Sequence, residues 1–141
     1  MKIYLSQMPP KDSALTHFGN IAHLSNGVMD TEATEVTSEG FLSSFEYENI
    51  PQVIDIIKKK ARLGCVITLV EPDFYLISKK IFRQEAHLQQ LNANVFNSNS
   101  IKSLLTIELV RTFFNDDSFQ IIAESFDDNL CKFVLQIRRV K

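Results

Sequence analysis

Glycine, proline and cysteine are all scarce in this chain: four, four and two among 141 residues, with no tryptophan. So little glycine leaves no Gly-x-Gly loop of the kind that lets a backbone approach a phosphate or nucleotide. Two cysteines cannot supply a disulfide framework or a cysteine-rich zinc site. Cys65 and Cys131 lie in apolar runs that read as strands, where a free thiol behaves as a small hydrophobe. No apolar run approaches the ~20 residues that span a bilayer, and Met1-Lys2-Ile3-Tyr4-Leu5 is too short for the core of a signal peptide. Charge of one sign is missing too: the net value is -2, with basic residues spread along the chain, which argues against nucleic-acid binding. What remains is a soluble domain kept in a reducing cytosol, 45% hydrophobic and 23% charged, long enough to bury roughly two thirds of its unfolded surface.

A short strand at Ile3-Tyr4-Leu5 is stopped by Pro9-Pro10, which lack amide donors. Residues 11–32 read as irregular, with at most one short helix over 14–24. Thr34-Glu35-Val36-Thr37-Ser38 alternates as a strand and ends at Glu39-Gly40. Ile50, Val53, Ile54, Ile57 and Ala61 then recur at helical spacing, with Asn49 as cap, Pro51 in the first turn and Gly64 as terminator. Lys58, Lys59, Lys60 and Arg62 load its C-terminal end and read as a solvated helix end that suits the dipole.

Cys65-Val66-Ile67-Thr68-Leu69-Val70 is nearly continuous in apolar character, the pattern of a central strand covered on both faces. A helical stretch follows to about Leu91, with Ile77, Ile81, Leu88 and Leu91 on one face, and residues 92–100 read as an Asn/Ser loop. Thr106 caps a helix facing inward through Leu109, Val110, Phe113 and Phe114. Residues 119–124 and 132–137, around the turn Phe126-Asp127-Asp128-Asn129, make an antiparallel hairpin.

Several local patterns follow one another in a known order. Leu42-Ser43-Ser44-Phe45 follows the strand at Thr34. Glu71-Pro72-Asp73 ends the next strand, Leu104-Leu105-Thr106-Ile107-Glu108-Leu109 opens a late helix, and a last strand ends in Arg138-Arg139. Over residues 34–141 this resembles the C-terminal part of class I, S-adenosylmethionine-dependent methyltransferases, and loosely the short, decayed ones that bacteriophages encode. The resemblance implies an α/β fold: a shortened Rossmann-like methyltransferase sheet in three layers, closed by a C-terminal antiparallel hairpin. One domain spans 1–141, with a shortened, irregular front at about 6–33.

In the family, a glycine loop follows the first strand and an acidic residue follows the second. Here the first position holds Ser6-Gln7-Met8-Pro9-Pro10, and too few residues precede Thr34 for two strand-helix units of roughly 30 residues each. The second and third strands are therefore expected to be missing, leaving the first strand as an open edge that must be covered or paired.

Glu71-Pro72-Asp73-Phe74 resembles the Asp-Pro-Pro-Tyr motif of amino-methylating enzymes, with Asp73 in place of the second proline. The bland reading is a strand end whose carboxylates face water or cap the next helix. His17, His23 and His87 have no metal-ligand spacing, and no serine sits in a nucleophile elbow. Phe41, Phe45, Tyr47, Phe74 and Tyr75 fall at the carboxyl ends of neighbouring strands and suggest a partner surface.

The expectation is thus a non-catalytic binding or assembly module without cofactor or metal, working through a protein partner or self-association, in the cytoplasm or, for a phage protein, the host cytoplasm or virion. The alternative is a minimal methyltransferase completed by a second chain. Ser6 and Glu39 would then serve S-adenosylmethionine, and Glu71 and Asp73 the chemistry.

Overall fold

A computed structural model describes residues 1–85, 87–95 and 101–141. Its six-stranded mixed sheet runs β2-β1-β3-β4-β6-β5, with β1 Lys2–Leu5, β2 Thr16–Phe18, β3 Ala33–Glu39, β4 Ala61–Pro72, β5 Phe119–Asp127 and β6 Lys132–Arg139. The first four strands are parallel, and β6 returns antiparallel between β4 and β5. Helices are α1 Ile21–Gly27, α2 Ile50–Lys60, α3 Phe74–Phe82, α4 Leu88–Val95 and α5 Ile107–Thr112. This is the shortened Rossmann-like sheet with a terminal hairpin that the sequence implies.

The front differs from expectation. Thr16-His17-Phe18 forms a strand beside β1, so the second position is filled and β1 is not an edge. The outer edge is this three-residue strand, and a very short edge is one way natural sheets avoid pairing with strangers. The front helix begins at Ile21, where the Asn20 side chain accepts from the Ala22 amide at 2.7 Å.

The core gathers on one face of the sheet. Ile3, Leu5, Val36, Ile67, Leu69, Leu135 and Ile137 point into it and meet Leu24 of α1, Val53, Ile54 and Ile57 of α2 and Val110 of α5. The alternate residues stay half-exposed: Tyr4, Thr37, Thr68 and Gln136 lie in register across four strands. The layers are therefore filled unevenly. β4 alternates buried and part-exposed residues from Cys65 to Pro72 instead of being covered on both sides.

Topology explains this. Right-handed crossovers that move in opposite directions across a sheet lie on opposite faces. The connections β2 to β3 and β3 to β4 carry α1 and α2, whereas the one from β1 outward to β2 spans only residues 6–15 and holds no helix.

Other details also depart from the sequence reading. Lys60, expected in solvent, is 7% exposed and donates to the Ser25 carbonyl at 3.0 Å and to Asp30 at 2.9 Å. Lys58 pairs with Asp116 at 2.7 Å and lies over the rings of Phe114 and Phe119. Asn49 precedes α2 without a side-chain cap bond. Gly64 does not end α2, which stops at Lys60. It sits at φ +82° where the β3–β4 register jumps from Ala33↔Ala61 to Glu35↔Val66, a bulge that glycine accommodates without strain.

The helical stretch after β4 is broken by Gln84 in the left-handed region, φ +56°, leaving Ile81 and Leu88 exposed while Ile77 and Leu91 are buried. Residues 92–95 belong to α4, and 96–100 lie outside the described residues. Cys131 sits in the hairpin turn at φ +52° rather than in a strand. Both cysteines are free and buried. Among the described residues no helix is long and apolar enough to cross a membrane.

One-sided packing has a measurable signature. Ile67→Ala should cost about 2–5 kcal/mol, and its neighbour Thr68→Ala should stay within about 0.5 kcal/mol of wild type. Urea unfolding of the two variants checks this; equal losses would mean that both faces are packed.

Candidate functional site

The chain leaves β1 for β2 on one side and continues to β3 on the other, so β1 and β3 flank a topological switch point, where open α/β sheets place ligand crevices at their carboxyl ends. A depression lies there between Gln7, Gly19–Ile21, Ser44–Glu46, Asn49 and Lys102. It holds about 260 Å³, just under the ~300–1,000 Å³ of typical small-molecule pockets.

Beside it, on the half-exposed face, four polar side chains engage one another. Ser6 follows β1, is 5% exposed, and donates through its hydroxyl to the Met8 carbonyl. The His17 ring, Nε2 carrying the proton, donates to the Ser6 carbonyl at 2.9 Å, and that nitrogen lies 3.4 Å from the Ser6 hydroxyl. The Tyr4 hydroxyl donates to the Glu39 carboxylate at the end of β3. Burial first, and the hydrogen bond to the Glu39 carboxylate second, push the Tyr4 hydroxyl up to about 12. Tyr4 and His17 escape a sequence reading because a strand of three residues inside a polar stretch gives no periodicity. The only signal was Tyr4 alternating with the apolar Ile3 and Leu5.

Glu71 and Asp73 lie on the opposite, core face of the sheet, so the chain does not bring them together with Ser6 and Glu39. Both are fully buried. The two Glu71 carboxylate oxygens accept the backbone amides of Leu42 at 2.8 Å and Ser43 at 3.3 Å, tying the end of β4 to the turn after β3. Asp73 Oδ1 accepts from the Tyr75 amide at 2.9 Å and caps α3. Its Oδ2 is buried without a partner among the described residues. Desolvation raises both carboxyls, Glu71 to about 7 against the opposing pull of the Ser43 and Leu42 hydrogen bonds.

The aromatic set divides. Phe41 is fully buried and packs edge-on against the half-buried Phe45, ring centres 5.1 Å apart. Tyr47, Phe74 and Tyr75 are exposed. At the end of β2, where dinucleotide folds place a ribose-binding acid, stand Gly19 and Asn20, and the Asn20 side chain is occupied in capping α1.

The raised Glu71 carboxyl fixes the sign of a pH effect. Its ordinary value is 4.5 and its folded value about 7, so the native state holds a proton that the unfolded state has lost. This contribution to stability is complete below pH 4.5 and is lost as pH rises through 7, on the order of 3 kcal/mol in all. Glu71→Gln, which cannot ionise, should remove that slope. Urea midpoints of both proteins at several pH values within the window test it, and parallel profiles would refute it.

No family model matches the chain, and no curated protein does. Solved structures do. A possible exported protein from Bordetella parapertussis aligns with 90% of this chain at TM-score 0.64 and 12% identity. A complex of the Haloferax volcanii Trm112 methyltransferase activator and a methyltransferase candidate aligns with 99% at 0.62 and 8%. An S-adenosylmethionine-dependent methyltransferase from Archaeoglobus fulgidus aligns with 92% at 0.58 and 8%. This chain spans 45%, 72% and 70% of their respective lengths. At such identities the likeness concerns architecture: the chain has the fold of class I S-adenosylmethionine-dependent methyltransferases.

Proposed function

We propose that this chain is a methyltransferase-like binding module that needs no cofactor and works through protein contacts. One observation carries the reading: Ser6, Asn20 and Glu39, the polar groups at the carboxyl ends of β1, β2 and β3, are engaged within the chain. Ser6 is held by Met8 and His17, Glu39 by Tyr4, and Asn20 by the first turn of α1. To bind a nucleoside there, each bond would have to be exchanged for one to the ligand, so the net gain per contact is small. The loop after β1 adds two prolines and no glycine, so it lacks two amide donors and has no residue that lets the backbone approach a ligand closely. Glu71 and Asp73 act in this reading as ties within the fold, a role that their burial and backbone partners support.

The second reading, a methyltransferase completed by another chain, draws on two facts. The depression lies where the fold places ligands, and a structural neighbour is a complex with a methyltransferase activator. A partner seated over Gln7, Asn20 and Lys102 would enlarge and enclose the site.

Titration calorimetry with S-adenosylmethionine and with S-adenosylhomocysteine distinguishes them. The module reading expects no heat of binding by the isolated chain, nor by the chain together with any protein it recruits. Micromolar binding by the chain alone would sink it, and binding that appears only with a partner would establish the second reading.

A further inference from the structure

The sheet has two edges of very different length. At β2 the edge is three residues long, whereas β5, Phe119–Asp127, presents nine and bonds on one side only, to β6. Among the described residues no other segment pairs with its main chain from Gln120 to Asp127. Natural edges of this length are blunted by lysine, proline, a bulge or charge. β5 has no lysine and no proline, and its two acids are committed within the chain. Glu124 pairs with Arg111 of α5 at 3.0 Å, and Asp127 accepts the amides of Asn129 and Leu130 in the hairpin turn. A bulge is present: the ladder slips between Ile121 and Ala123. It confines regular pairing to the residues beyond it, 123–127.

An open main-chain edge is completed by another extended strand, and the side chains around this one specify which. Cross-strand partners share a face. Ile121, Glu124 and Phe126 lie opposite Ile137, Leu135 and Phe133 of β6, so they point to the core side, where α5 stands, while Ala123, Ser125 and Asp127 point to the other. On the core side the Phe126 ring is half in solvent. There too a depression of about 250 Å³ opens between α5 and β5, lined by Glu108, Arg111, Thr112, Asn115 and Ile121. A protruding ring and a hollow on the same face of one edge fit a second copy of that edge laid antiparallel.

Charge and face select the register. Pairing about Glu124 would set like carboxylates directly opposite, which is destabilising, and pairing about Phe126 would leave only residues 125–127 in the ladder. Centred on Ser125, all of 123–127 pairs with faces matched. Ser125 then meets Ser125, Ala123 meets Asp127, and Glu124 meets Phe126 of the second copy, so neither acid faces a like charge. Each Phe126 ring comes to lie beside the other copy's Glu124 and Arg111, next to the depression. Arg111 keeps its bond to Glu124 in the guanidinium plane and offers its flat face to the ring.

We propose that β5 is a self-association edge, through which two copies of the chain pair antiparallel about a two-fold axis at Ser125 and join their sheets into one. The contact is self-complementary, as a two-fold requires. Strand addition draws its affinity from main-chain hydrogen bonds rather than from a large apolar area, and a ladder as short as 123–127 makes a reversible, concentration-dependent dimer. The inference holds under either reading of the switch point, because β5 lies at the far edge of the sheet from β1 and β2.

Sedimentation equilibrium and amide hydrogen exchange of the full chain, over a wide concentration range, test this together. Wild type should move from monomer to dimer, and amides within 123–127 should gain protection as it does. Ser125→Lys, which sets like charges opposite each other at the axis, should abolish both changes. Phe126→Ala should weaken association about tenfold, as expected for an aromatic anchor. Ser125→Cys should form a reducible cross-linked dimer under mild oxidation, since opposed residues of an antiparallel pair stand within disulfide reach. Phe82→Ala, on the exposed side of α3, should change nothing. Thermal melts followed by circular dichroism should stay close to wild type for the Ser125 variants, because that side chain is in solvent. Three results would overturn the proposal: a wild type monomeric at every concentration, a dimer that survives Ser125→Lys or is lost with Phe82→Ala, or a dimer that forms without added protection within 123–127.

Discussion

The connection from Leu5 to Thr16 constrains everything around it. Parallel neighbours usually need a dozen or more residues and a helix to be joined. Here residues 6–15 do it without one. Because that crossover belongs to the face opposite α1, α2 and α5, the missing helix leaves one side of the sheet without a packed layer. The loop must also be fixed by other means, and Ser6 and His17 do this with side-chain bonds across β1 and β2. Ser6 and His17 thus hold a short loop in place. A shortened connection and a half-exposed sheet face go together.

The buried carboxylates answer a similar need on the other face. Two successive turns begin above the sheet, one after β3 and one after β4, and each starts with backbone amides that lack partners. Glu71 takes two of them and Asp73 takes one. Among the described residues no basic side chain forms an ion pair with either, so desolvation prevails and their carboxyls titrate upward. A buried acid with a raised pKa in a cleft would be a candidate catalyst. Glu71 and Asp73 are instead fully buried and bound to backbone amides.

How legible all this was depends on how strongly each element is patterned. α2, β4 and the β5–β6 hairpin were plain, because their apolar positions repeat over many residues. The Thr106 cap was plain because its chemistry is local: its hydroxyl does accept from the Leu109 amide. β2 was not, since three residues with one covered face require little hydrophobicity. Gly64 was misread because a glycine past a helical run suggests a terminator, while tertiary register used it as a bulge. Lys60 was read as solvated because the anion and carbonyl that receive it, Asp30 and Ser25, lie some thirty positions away. The site suffered most. Ser6 and Glu39 were found as isolated candidates, but their partners His17 and Tyr4 depend on strand pairing that no short-range pattern encodes.

The fold also has to accommodate its remaining apolar surface. The half-exposed sheet face does so by composition: Thr37, Thr68 and Gln136 are polar, and Val66, Val70 and Val134 stay half-covered between strands. The outer face of α3 does not. Phe82 is the most exposed large apolar residue among those described, and it lies on a helix whose inner face is already anchored. Leaving it in water gains nothing for the fold of a single chain. The two faces therefore call for different explanations. Solvation suffices for the sheet, whereas the outer face of α3 keeps three aromatic rings and an isoleucine in water.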